Sequence, residues 1–236
     1  MKIKITLFIA LFVLSISNTF AHALWIETTA TGKKGQQQEV KIFFGEYEGN
    51  EPDSAKKWFS NLKEFSISVT APNGTVKILK ATPDVRYYKT SFTPDQDGVY
   101  ILSVVHEVAA VYEHAKIEYY AFANVAVGKS KINTAYPANA IFTIQPSKTT
   151  LKTGEDFTHQ VVFNKTPFAK KKVAVVDPTR KKQEPETDAN GNFIFKPAQK
   201  GAYFIEAFNE DQTPGTLNGK PYEKVWHVVT YFTSAD

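Results

Sequence analysis

Phe92, Pro94, Gln96, Gly98 and Tyr100 recur at an offset of 103 residues as Phe195, Pro197, Gln199, Gly201 and Tyr203. A run of side chains repeated at fixed spacing describes one structural unit built twice, and about a hundred residues is enough for a small sandwich with its own core. Earlier segments pair more loosely: Val69 and Pro72 with Val175 and Pro178, Gly35 and Phe44 with Gly154 and Phe163. The apolar runs between turn residues are short and alternate, as in Val40, Ile42 and Phe44, or Phe65, Ile67 and Val69. Period two over four to eight residues is the signature of a half-buried strand. After the turn Pro72-Asn73-Gly74, Val76 and Ile78 continue a hairpin.

The repeated Pro-x-x-x-Gly-x-Tyr element resembles the turn into the sixth strand of immunoglobulin-like sandwiches, where the tyrosine packs back onto its corner. The expected fold class is therefore all-β, two tandem immunoglobulin-like β-sandwich domains, the first with a short helical insertion. The first sandwich is expected over residues 22–127, a linker over 128–139 and the second sandwich over 140–236. The insertion is expected over 46–63, with Asp53 or Ser54 capping a helix through Leu62 that packs by Trp58, Phe59 and Leu62. The segment from His106 to Val127 turns near Ala109 and reads as one or two further strands. Thr187 to Phe193 is a turn feeding a strand, and the second copy resembles carboxypeptidase-regulatory or Cna-B sandwiches.

Lys2 and Lys4 precede a mostly apolar stretch from Ile5 to Ile16, followed by small and polar residues up to Ala21. This is the layout of a cleaved export signal, too short for the ~20 apolar residues that span a bilayer. Cleavage after Ala21 leaves His22 first; cleavage after Ala23 leaves Leu24 first. Losing residues 1–21 removes two lysines and no acid, so the formal charge falls from +4 to +2. A nearly neutral chain whose lysines cluster at turns offers no nucleic-acid groove. The absence of cysteine excludes thiol catalysis, thiolate metal sites and a lipid-modified cysteine. A periplasmic or secreted protein, not membrane-spanning after cleavage, is the expectation.

No nucleophile elbow, zinc-protease helix or phosphate loop appears, and no enzyme is expected. The chemistry then rests on five histidines. His22, once first in the chain, offers an α-amine and a ring nitrogen from one residue, a chelate suited to Cu(II) or Ni(II). His106-Glu107 and Glu113-His114 flank a short apolar stretch, and a hairpin would bring these two imidazole–carboxylate pairs together. His159, between Phe157 and Val161, reads as a hydrogen-bonded core residue. His227 lies in the last strand.

Ala21 to Glu27, Val40 to Gly45, Val173 to Pro178, Thr187 to Phe195 and Trp226 to Thr230 together resemble a bacterial exported family of unknown function catalogued as the periplasmic component of cobalt or nickel transport. The resemblance spans nearly the whole chain after the signal, and implies that the family's junction histidine is His22 and its late-strand histidine His227. Ala23 and Leu24 replace the first residues of the acidic aromatic stretch common in that family. The expected function is a periplasmic binding protein for a transition-metal (Ni2+, Co2+ or Cu2+) ion or metal chelate, associated with uptake through an envelope transporter or outer-membrane receptor. Its candidate ligands are His22, His227, His106, His114, Glu107 and Glu113. The alternative is a non-catalytic envelope interaction or glycan-binding sandwich. A copper oxygenase built on an N-terminal histidine is the enzyme option.

Overall fold

The computed structural model describes residues 22–130, 133, 135–148 and 150–236. The export signal expected over residues 1–21 and part of the expected linker lie outside the described residues. Among the described residues, the first repeat supplies β1 (Ala23–Glu27), β2 (Gln38–Glu46), β3 (Ile67–Thr70), β4 (Val76–Leu79), β5 (Tyr88–Phe92), β6 (Gly98–Glu107) and β7 (Ala115–Val127). The second supplies β8 (Phe142–Pro146), β9 (Phe157–Phe163), β10 (Ala174–Val176), β11 (Lys182–Gln183), β12 (Asn192–Phe195), β13 (Gly201–Asp211) and β14 (Lys224–Ala235). The all-β class holds. Two-residue strands extend the sheets, and a small hairpin, Gly215–Leu217 with Lys220–Tyr222, tops the β13–β14 connection.

Each repeat contributes a sheet of its own, β1-β2-β5 in the first and β8-β9-β12 in the second. The remaining strands form one continuous sheet in the order β11-β10-β13-β14-β7-β6-β3-β4. That order reads the same from either end once equivalent strands are matched, with β7 and β14 meeting in parallel from Ala115↔Lys224 to Ala123↔Phe232. Parallel pairing of equivalent strands, with the outer sheets on opposite faces, is what a pseudo-twofold axis along the strand direction produces.

The alternation along the central strands follows from this. Ile117, Tyr119, Ala121, Ala123 and Val125 of β7 face the first core, while Tyr120 and Phe122 face the second. On β14, Trp226, Val228 and Phe232 face the first core and Val229 and Tyr231 the second. Both strands are thus buried on both faces, which explains their near-continuous apolar runs.

The sequence repeat is reproduced in detail. Tyr100 donates its hydroxyl to Asp95 Oδ1 (2.7 Å) and accepts from the backbone N–H groups of Asp95 and Gln96, both at 3.0 Å. Tyr203 donates to the Gln199 carbonyl at 2.9 Å. Gly35 N–H donates to the Pro94 carbonyl and Gly154 N–H to the Pro197 carbonyl, each at 2.8 Å.

The insertion differs from expectation. Instead of one helix it holds two 3-10 turns, Ala55–Lys57 and Leu62–Glu64, with no side-chain cap from Ser54. Trp58 turns extended (ψ 138) and Ser60 takes a positive φ of 53°, so no continuous helix can pass through. Trp58 and Leu62 are buried as expected, but Phe59 stays exposed against the edge of Tyr112.

The two halves also meet through side chains. Arg180, in the β10–β11 turn, donates to the Tyr47 carbonyl (2.7 Å) and Asn50 Oδ1 (3.0 Å) and lies 4.0 Å over the Tyr47 ring. Tyr47 stacks on Phe204 at 4.3 Å, and Lys182 pairs with Glu48 at 2.9 Å. Below this contact Glu206 of β13 is pushed up to about 8 by burial, opposed by Lys182 and reinforced by Glu48. A carboxyl with a raised folded-state pKa lends full stability below its usual 4.5 and loses it as pH rises through about 8. Glu206→Gln should therefore stabilise the protein above pH 4.5, with the gain growing up to about 8. Because Glu206 is only part-buried, the expected gain at neutral pH is about 1–3 kcal/mol rather than the full linkage value. Denaturant midpoints at pH 4 and pH 8 check it: equal shifts at both would contradict the assignment.

Candidate metal-binding cleft at His22

His22 enters β1, and β1 pairs with β2 so that Ala23 lies opposite Gly45. Gly45 has φ 141°, and a Cβ there would stand 2.6 Å from the Glu51 carbonyl oxygen and 2.8 Å from Asp53 N. Only glycine lets the chain fold back this closely. Asp53 N–H then donates to the Phe44 carbonyl at 2.8 Å, and Gly45 and Glu46 pair with Pro52 and Glu51. This return brings Asp53, which the sequence offered only as a helix cap, next to His22: Nε2 to Oδ1 is 3.6 Å. The His22 ring packs against Phe44 at 5.5 Å, and Tyr119 donates its hydroxyl to the His22 carbonyl at 3.4 Å.

About half of the His22 side chain and 36% of that of Asp53 remain accessible. Both line a cleft of about 500 Å³ with Glu46, Asn50, Glu51, Lys57 and Arg86 among its walls. Arg180 holds the loop that forms one wall, through Tyr47 and Asn50. With Nε2 directed at a carboxylate, Nδ1 is the ring nitrogen left to chelate together with an α-amine on the same residue. Asp53 stands where an outer carboxylate would orient the ring of a metal-bound histidine.

The other candidate ligands do not join this cleft. His227 of β14 is the counterpart of Tyr119 in the second repeat, and packs on Phe163 (4.9 Å) as Tyr119 packs on Phe44 (5.8 Å). It therefore faces the opposite side of the central sheet from His22. Its Nδ1 lies 3.1 Å from Glu118 Oε2, off the line of a well-formed hydrogen bond, and its side chain is 5% exposed. Glu118 also accepts from the Tyr120 hydroxyl (2.5 Å) and pairs with Lys116 (2.8 Å). Burial raises the Glu118 pKa, but the close His227 ring and hydrogen bonds from Lys116 and Tyr120 outweigh it and hold the carboxyl at about 2.

The expected meeting of His106, Glu107, Glu113 and His114 does not occur. Successive strand residues point to opposite faces. His106 is buried on the first-core side, where desolvation lowers its pKa, while Glu107 turns outward to pair with Lys116 at 2.5 Å. At the hairpin tip Glu113 and His114 both take positive φ, and His114 lies 3.8 Å from Glu223. His159 is a core residue as expected, but neither ring nitrogen is hydrogen-bonded; burial pushes its pKa down to about 3, so it stays neutral among Phe157, Phe193, Phe195 and Tyr231.

Among the described residues no three His, Asp or Glu side chains are grouped to hold a metal ion. The closest imidazole–carboxylate approach in the cleft is His22 with Asp53.

No curated protein sequence matches the chain. Among solved structures it is similar to a DUF4785 family protein from Legionella pneumophila, at 11% identity and a TM-score of 0.32, covering 76% of this chain and 51% of that one. It is also similar to alpha-2-macroglobulin from Salmonella reacted with methylamine, at 9% identity and a TM-score of 0.30, covering 89% of this chain and 15% of that one. The chain thus spans about half of the first and a small part of the second. A family model described as Domain of unknown function (DUF4198) matches residues 19–211.

Proposed function

The chain belongs to the DUF4198 family, and from the residues of its own cleft we propose that it binds a transition-metal ion, Ni2+, Co2+ or Cu2+, through His22 after export. The ion is cargo, delivered in the periplasm to an envelope transporter or receptor. The observation that carries this reading is the Asp53 carboxylate 3.6 Å from His22 Nε2 at the edge of an open cleft. Imidazole and amine nitrogens from one residue form a chelate ring that favours these three ions. The α-amine, with an ordinary pKa of ~7.7–8.0, gives up its proton to the metal near neutral pH. His227, already engaged by Glu118 and enclosed, serves the fold in this reading.

Titration calorimetry with Ni2+ and Cu2+ on protein starting at His22 tests the assignment. His22→Ala should abolish binding, and Asp53→Asn should weaken it about 10–100-fold, the usual effect of losing an outer-shell partner. Unchanged binding by His22→Ala contradicts the reading.

An interaction module is the second reading. It is favoured by β4, an edge strand of the central sheet on which Val76 and Ile78 are 59% and 63% exposed. Unpaired edges with apolar side chains attract further strands.

A further inference from the structure

The His22 cleft is far larger than one metal ion, and its charges are of both signs. Glu46, Glu51 and Asp53 share it with Lys57 and Arg86. Lys57 ends the first 3-10 turn, and Arg86 sits in the turn before β5. Both side chains are long and the acids line the same walls. Yet among the described residues neither cation makes an ion pair with a carboxylate of the cleft; the one ionic contact there is His22 with Asp53. Opposite charges that could reach each other across a surface cleft but stand apart leave space between them for a ligand carrying both signs. The three carboxylates suit the ion itself, and Lys57 and Arg86 are left to meet negative groups that arrive with it.

We infer that the cleft takes its metal ion already complexed by a small organic polycarboxylate, with the ion at His22 and the chelator's free carboxylate on Lys57 and Arg86. This rests on the metal-binding reading above and adds the chemical class of the cargo. The volume of about 500 Å³ lies within the ~300–1,000 Å³ range of small-molecule sites and well beyond what a lone ion requires. Arg86 is suited to a carboxylate because its planar guanidinium can donate two parallel hydrogen bonds, whereas Lys57 contributes a point charge. Asn50, fixed by Arg180, keeps a polar group on the same wall.

Radiolabelled citrate and Ni2+ retained by the mature protein through gel filtration test the inference, with citrate alone and Ni2+ alone as parallel samples. The expected result is about one citrate held per Ni2+ bound, and no citrate held without the metal. In the Lys57→Gln/Arg86→Gln variant, retained citrate should fall at least tenfold. Ni2+ alone should then bind more tightly, because two repelling charges have gone. Citrate that strips Ni2+ from the wild-type protein, or binds equally well without it, overturns the inference while leaving metal binding at His22 standing. Retention of neither form by the wild type overturns both. A metal-free amino acid held in place of the complex would reassign the cleft to a zwitterion.

Discussion

Glu118→Ala should unfold the protein at markedly lower denaturant, by about 2–3 kcal/mol, somewhat less than the ~3–5 kcal/mol lost when one member of a fully buried charged pair is removed, because the group is only part-buried. The carboxylate is the single acceptor that joins His227, Lys116 and Tyr120. Without it, a buried imidazole and a phenol lose their partner together, and the Lys116 ammonium keeps only Glu107. The pH dependence carries the same information. Its folded pKa of about 2 lies below the ordinary 4.5, so its stabilisation is complete above 4.5 and is lost as pH falls towards 2. The wild type should lose on the order of 3 kcal/mol across that window from this group, and the variant should lack that part of the acid transition. Urea titrations at pH 6 and pH 3 measure both effects. A variant equal to wild type at pH 6 would show that the network adds nothing.

Gly98→Ala and Gly201→Ala should each lower stability by about 2–4 kcal/mol, from backbone strain and overpacking together. Gly98 has φ 135°, and an added Cβ would stand 2.5 Å from the Pro72 ring; Gly201 has φ 126° with Pro178 at 2.9 Å. The same glycine–proline contact therefore closes the same corner in both repeats. The tighter contact at Gly98 should make its variant the worse of the two. Calorimetric midpoints rank them, and a harmless Gly98→Ala would mean that the corner is not a fixed element of the fold.

These two sites show how unevenly the fold could be read beforehand. The glycine and proline pairs, and the tyrosines beside them, were visible because each turn demands a particular residue at a particular offset, and the two copies kept it. Glu118 left no comparable mark. Its role follows from the parallel pairing of β7 and β14, which sets Glu118 opposite His227. The sequence hinted at that pairing only by burying both faces of each strand, as in Tyr119-Tyr120-Ala121-Phe122. The expected helix failed for a local reason: Ser60 adopts a positive φ, which no helix-forming pattern in the segment announces.

The candidate site was legible in the same partial way. His22 stood out by its place after the apolar N-terminal run, whereas Asp53 is delivered by the reversal at Gly45, a feature of backbone geometry and not of residue spacing. His106 and Glu107 looked like a ligand pair because they are adjacent. Adjacency in a strand is what separates them, one inward and one outward. His227 looked like a second ligand through family resemblance. The pseudo-twofold explains why it occupies an equivalent corner of the other sandwich and cannot converge with His22.

The most direct test compares metal binding by protein beginning at His22 with the same protein extended at its α-amine by an acetyl group. The acetyl group converts the α-amine into an amide and leaves every side chain in place. At 100 times its Kd, a bound metal stabilises the protein by ~2.7 kcal/mol, a midpoint rise of roughly 5–10 °C for a chain of this size. Ni2+ or Cu2+ should produce that rise in the His22 form and not in the extended form, with equal metal-free midpoints. Equal rises in both forms, or none in either, would contradict metal binding through the His22 α-amine.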